Sequence, residues 1–85
     1  MYKITSVTPM KNDILLGCTN YEGDLTKVNF LRIFDENNNA FEIKNFLLDK
    51  TTPCFTDKIS TLVMLKEYVP EKFLHRGNKI EFDYK

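Results

Sequence analysis

From Lys79 to Lys85 the chain alternates without a break, with Ile80, Phe82 and Tyr84 on one side and Lys79, Glu81, Asp83 and Lys85 on the other. Successive strand side chains point to opposite faces, so a period of two specifies a strand with one buried and one wet face. A Gly77-Asn78 turn signal stands directly before it. A half-buried strand needs partners, and the other apolar runs must supply them.

Those runs follow in order. Tyr2 to Val7 mixes Tyr, Ile, Thr and Val before Pro9, which reads as a first strand, and Lys11-Asn12-Asp13 is a polar turn. Ile14 to Thr19 is a continuous apolar run of strand length. Apolar residues at consecutive positions imply burial on both faces, or a strand wrapping round a closed barrel. Gly17 within it marks a bulge or a close backbone approach. Asn20 to Leu25 is a loop centred on Gly23, and Val28 to Phe34 is the third strand. Asp35-Glu36-Asn37-Asn38-Asn39 is a hairpin turn, because Asn and Asp bond their own backbone and tolerate the left-handed region.

Phe41 to Lys44 resumes the alternation, and Phe46, Leu47 and Leu48 break it as a strand end or bulge does. Asp49 to Lys58 reads as a loop across one end of the sheet. Ile59 to Tyr68 is a fifth strand whose Leu62-Val63-Met64-Leu65 run again implies two buried faces. A helix is the rival there, since Ile59, Leu62, Val63 and Lys66 fit a 3.6 period. The β-branched Thr61 and Val63 and the nearby Pro70 favour the strand. In Val69 to Gly77, Pro70 suits a first helical position, Glu71 the first turn, His75 and Arg76 the last, and Gly77 the position beyond. The expectation is a single all-β domain over 1–85, a small six-stranded antiparallel barrel with one short helical turn before the last strand.

Charge bounds the function. Twelve basic and twelve acidic residues cancel, so there is no bulk basic footprint of the kind counterion release on nucleic acid requires. Residues 43–85 carry eight basic and six acidic groups against four and six in 1–42, which leaves a small basic surplus in the C-terminal half. Cys18 and Cys54 are the two cysteines, neither in a CxxC, and they read as reduced core residues. No apolar run nears the roughly 18 residues that span a bilayer. The reading is a soluble, cytoplasmic protein without membrane attachment, a monomer or small homo-oligomer.

The layout resembles the small β-barrel found as the second domain of elongation factor Tu and related translational GTPases. The residues that carry the resemblance are a strand reaching Leu16-Gly17, the Glu22-Gly23-Asp24-Leu25 loop, and the Phe34 to Phe41 hairpin continued by Ile43. The last is the ending Leu65…Leu74-His75-Arg76-Gly77-Asn78-Lys79-Ile80-Glu81-Phe82. The resemblance implies a binding or docking module that contacts a protein or ribonucleoprotein partner. No phosphate-binding GxxxxGK[ST] is present, and the second glycine usual at the barrel's hairpin is missing.

Catalysis has little to stand on. His75 is the sole histidine, so any nucleophile arrangement must use it, and at a turn's C-terminus it serves the backbone dipole. The pairs Asp35-Glu36 and Glu81/Asp83 belong to a turn and a wet strand face. One His and two separated Cys give no zinc spacing. The reading is therefore non-enzymatic, with no cofactor and no metal. For binding, Lys72, His75, Arg76 and Lys79 form a basic cluster around the helical turn that suits phosphate or an acidic partner, so direct RNA or DNA binding is the alternative function. Tyr21 with Lys27 and Arg32 is a second candidate, an aromatic beside cations on which a base stacks. An exposed strand edge open to an added peptide strand is the third.

Overall fold

Asp35 builds the hairpin between Phe34 and Ala40 almost alone. In the computed structural model, which describes residues 2–51 and 59–84, Asp35 Oδ1 accepts the backbone N–H groups of Asn37 at 3.0 Å and Asn39 at 2.8 Å. Its Oδ2 accepts from Asn39 Nδ2 at 3.0 Å. Asn38 takes the left-handed conformation, φ 65°, that the sequence assigned to this run. The turn joins β3 (Phe30–Phe34) to β4 (Ala40–Ile43), paired antiparallel from Leu31↔Ile43 to Phe34↔Ala40.

The remaining strands are β1 (Tyr2–Pro9), β2 (Ile14–Thr19), β5 (Phe46–Thr51), β6 (Ser60–Leu65) and β7 (Lys79–Asp83). Short 3₁₀ turns occupy Leu25–Lys27 and Glu71–Phe73. All pairings are antiparallel, in one sheet ordered β4-β3-β7-β1-β2-β6-β5. The all-β class stands, and a 3₁₀ turn precedes the last strand as expected, but it spans Glu71–Phe73 alone and leaves His75, Arg76 and Gly77 beyond its end. The six-stranded barrel does not stand: there are seven strands, and the sheet is not closed.

The extra strand is β5. Phe46-Leu47-Leu48 breaks the alternation because the chain ends one strand and starts another across two residues, Lys44 and Asn45. These two strands form opposite edges of the sheet, so the sheet bends until both edges reach one corner. Glu67 fastens that corner, its Oε1 accepting Lys44 N–H at 2.6 Å and Asn45 N–H at 3.1 Å. Lys66 N–H donates to Asn45 O at 2.9 Å. The corner's backbone donors are thus taken by a side chain, and no ladder joins β4 to β5. The expected 49–58 loop starts later than Asp49, since Asp49 to Thr51 belong to β5. Its remainder, with Cys54 and any pairing to Cys18, lies outside the described residues.

β1 serves both halves of the sheet. Tyr2 and Lys3 pair with β7, whereas Ile4 to Pro9 pair with β2 across a register shift between Ile4 and Ser6. A bulge bends its strand and increases the local twist. Gly17 faces this bulge, and a Cβ there would run into Ser6 Oγ, so the close neighbour is a side chain and the bulge lies on β1 instead of at Gly17 itself.

On the concave side Ile4, Leu16, Cys18, Leu31, Ile33, Ile43, Val63, Leu65 and Ile80 are all at or below 1% exposed and form one core. Ile80 and Phe82 enter it as the closing alternation dictated. Tyr84 does not; it lies past the end of β7 and stays 48% exposed, its hydroxyl bonded to that of Tyr21. The runs Ile14 to Thr19 and Leu62 to Leu65 are buried on one side alone. Leu16 and Cys18, and Val63 and Leu65, point inward, while Leu15, Leu62 and Met64 remain half-buried on the convex side. Double burial requires a second layer, and no described element supplies one.

Candidate functional site

The turn before β7 is held from three directions. Phe73, 4% exposed, plugs into the core with its ring 5.3 Å from that of Phe41. Asn78 Nδ2 donates to the carbonyls of Lys72 (3.2 Å) and Phe73 (3.0 Å), and Gly77 N–H donates to Ile4 O at 2.8 Å. Gly77 takes φ 91°, a conformation that suits glycine. The result places Lys72, His75 and Arg76 in one recess with Asp35 and Glu36. Lys79 is not part of that recess; its ammonium lies 4.4 Å over the Phe34 ring and 3.4 Å from Glu81. The predicted basic cluster is therefore Lys72, His75 and Arg76 beside two carboxylates, with Lys79 turned to another face.

One of those carboxylates is already engaged. The Asn39 side-chain amide, helped by the backbone N–H groups of Asn39 and Asn37, holds the Asp35 carboxyl below the usual carboxylate range against the opposing effect of burial. Lys72 stands 3.7 Å away. Burial pushes the Cys18 thiol up to about 12, so it stays protonated at neutral pH and acts as a packing residue. Tyr21 is 7% exposed, stacked on Phe82 at 4.6 Å and edge-on to Tyr2 at 5.3 Å. Buried in this aromatic cluster it cannot receive a base, so the Tyr21, Lys27 and Arg32 reading is withdrawn.

The convex face of β3 and β7 sets charge pairs among the half-buried rings of Phe30 and Phe34. Arg32 Nε lies 3.1 Å from Asp83 and 3.7 Å from Glu81, with its guanidinium 5.6 Å from the Phe30 centroid. Strand register dictates this, since Arg32 is directly opposite Glu81 on β7 and Glu42 on β4.

The convex face of β2, β6 and β5 is built differently. Register aligns Thr8, Leu15, Met64 and Leu47 in one row across four strands, and Ser6, Gly17, Leu62 and Asp49 in the next. Leu15, Leu47, Leu62 and Met64 line a shallow depression with Leu48 and Asp49 at its β5 margin. Leu47 is 60% exposed. Beyond one end of the rows Lys66 and Asp13 pair at 2.8 Å. Four apolar side chains thus meet water in one patch that ends on a sheet edge.

Sequence reasoning did not mark this patch as a site. Its signal was present as the apolar surplus in Ile14 to Thr19 and Leu62 to Leu65, which was assigned to a second buried face. Among the described residues no three His, Cys, Asp or Glu side chains converge as a metal-ion ligand set. No described helix is long and apolar enough to cross a membrane. Comparison of the chain with family models, with curated proteins and with solved structures returned no match.

Proposed function

We propose that this protein is a non-enzymatic interaction module that recognises a protein or ribonucleoprotein partner through the convex face of β2, β6 and β5. The observation that carries the reading is the row Leu15–Met64–Leu47 with Leu62 beside it, solvent-facing apolar side chains in register on adjacent strands. Contiguous exposed apolar area is where soluble domains meet partners, whereas scattered single hydrophobics need no explanation. On its other half the same sheet covers its outer aromatic rings, Phe30 and Phe34, with the cations Arg32 and Lys79, and those cations pair with carboxylates. The sequence resemblance to the translation-factor barrel points to the same class of role.

Photo-crosslinking separates the two faces. Benzoylphenylalanine in place of Leu47 is expected to give a discrete protein adduct in cells, and the same probe in place of Arg32 is not. Leu62→Lys with Met64→Lys should suppress the adduct. Adducts of equal yield from both positions, or one indifferent to the lysines, would refute the reading.

Nucleic-acid binding through the C-terminal cluster is the second reading, supported by the gathering of Lys72, His75 and Arg76 in one recess. Asp35 and Glu36 lie in that recess too and oppose a polyanion, which ranks it below the first. It requires an RNA or DNA affinity that falls with salt and falls further in Lys72→Gln/Arg76→Gln. An affinity unchanged by those substitutions removes it.

A further inference from the structure

We infer that the partner contributes an extended segment that adds as a further strand to the β5 edge, carrying apolar side chains at alternate positions and a Lys or Arg beside Asp49. The inference rests on the proposed interaction face and specifies what occupies it.

The phase of the ladder identifies which backbone groups are on offer. Lys66 N–H donates to Asn45 O, and the β5–β6 register places Asn45 opposite Lys66, one step beyond Phe46↔Leu65. Bonded and non-bonded pairs alternate in an antiparallel ladder. Leu47, Asp49 and Thr51 therefore bond to β6, and the N–H and C=O groups of Phe46, Leu48 and Lys50 face away from it. No described strand lies on that side. An edge of unpaired backbone groups is a template for another strand.

Side chains select what that strand carries. Leu47 stands on the convex face at the edge, and Leu15, Leu62 and Met64 continue the apolar surface inward. A strand added beside β5 places every second side chain on this face, next to Leu47. Asp49 is the charge on the same face and edge, and among the described residues it forms no ion pair, so a cation on the added strand complements it.

Asp49 also guards the edge. Its Oδ1 accepts the N–H of Lys50, one of the outward-facing groups, at 2.8 Å. A self-capped N–H disfavours indiscriminate pairing. A partner cation that draws the carboxylate away frees this donor, which links recognition of the charge to completion of the ladder. The opposite edge, β4, carries Ala40 and Glu42 on its outer face, with Glu42 3.5 Å from Lys44. It lacks the apolar row.

The test uses the full chain and a random decapeptide library displayed on phage. Selected sequences should share apolar residues at alternate positions with one Lys or Arg, and should perturb the backbone amides of Leu47 to Lys50. N-methylation of alternate peptide residues divides the outcome. One set, facing β5, should lose more than about tenfold in affinity through two or more missing hydrogen bonds, and the other set should be tolerated. Asp49→Asn should weaken binding about threefold, and less at high salt. If Leu62→Lys abolishes binding but the two N-methylated sets bind equally, the apolar face is the site and strand addition is wrong. If no peptide is selected, or amides on the β3–β7 face or at Lys72 to Arg76 respond instead, both the inference and the proposed interaction face fail. A dimer in sedimentation equilibrium that Leu47→Lys disperses would assign the edge to a second copy of the chain and overturn the inference.

Discussion

On the convex side of β3 and β7, Arg32 reaches Asp83 and Glu81 while Lys79 lies between the Phe34 ring and Glu81, so polar side chains meet other side chains as well as water. On the convex side of β2 and β6, Leu15, Leu62 and Met64 meet water with Leu47 alongside. The concave sides of the two halves are equivalent, each supplying fully buried aliphatic residues to one core. Folding therefore accounts for the inner residues of both halves and for the outer residues of one. Outer leucines and methionine on β2, β5 and β6 add little to the core, and their cost in exposed apolar surface is offset only if something covers them.

If the concave sides are equivalent, Leu31→Ala on β3 and Leu16→Ala on β2 should each cost about 2–5 kcal/mol in urea unfolding, the range for deleting a buried leucine. A cost confined to one of them would break the equivalence. Next in size is Gly23→Ala, whose Cβ would meet the Tyr21 and Tyr84 hydroxyls. Displacing the rings around Tyr21 should cost about 1–3 kcal/mol, as overpacking does. A neutral result would mean that the aromatic cluster yields freely.

The contrast between outer faces is sharpened by Leu62→Lys with Met64→Lys. Each should change stability by less than about 1 kcal/mol, as surface substitutions do, while removing partner recognition. A larger loss of stability would show that these side chains belong to the fold. Asp35 supplies a pH signature on the ion-paired half. Its carboxyl pKa is depressed in the folded state, so its stabilising contribution is complete above the unfolded value near 3.8 and is lost as pH falls through the folded value. Asp35→Asn should accordingly be less stable than the natural protein at pH 7, with the gap closing as the pH drops below about 4. A gap independent of pH would contradict this. Smallest of all should be the loss of stability in Arg32→Gln, and it should shrink further in high salt, because its pairs with Asp83 and Glu81 are partly exposed.

Much of the fold was legible wherever one local rule acted alone. Ile80 and Phe82 alternate into the core, Asp35 to Asn39 carry their own turn chemistry, and Gly77 takes a positive φ in the turn that feeds β7. The sequence missed β5 because the corner at Lys44 and Asn45 is fixed by Glu67, some twenty residues further on, which no window of local sequence contains. It misread Leu15, Leu62 and Met64 for a deeper reason. An apolar residue that awaits a partner has the same composition signal as one that is buried by its own chain. The candidate cluster divided for a related cause: Lys72, His75 and Arg76 are close in sequence and in space, but strand alternation carries Lys79 to the face of Phe34.

The claim that the convex face of β2, β6 and β5 is the recognition surface is tested most directly by solvent paramagnetic broadening of methyl groups, with and without a saturating library-selected peptide. The account predicts strong broadening at Leu15, Leu47, Leu62 and Met64 in the free protein, relieved on binding, with the amides of Arg32 and Glu81 unchanged. Protection that appears instead on the β3–β7 face or in the Lys72 to Arg76 recess, with those four methyl groups still broadened, would contradict it.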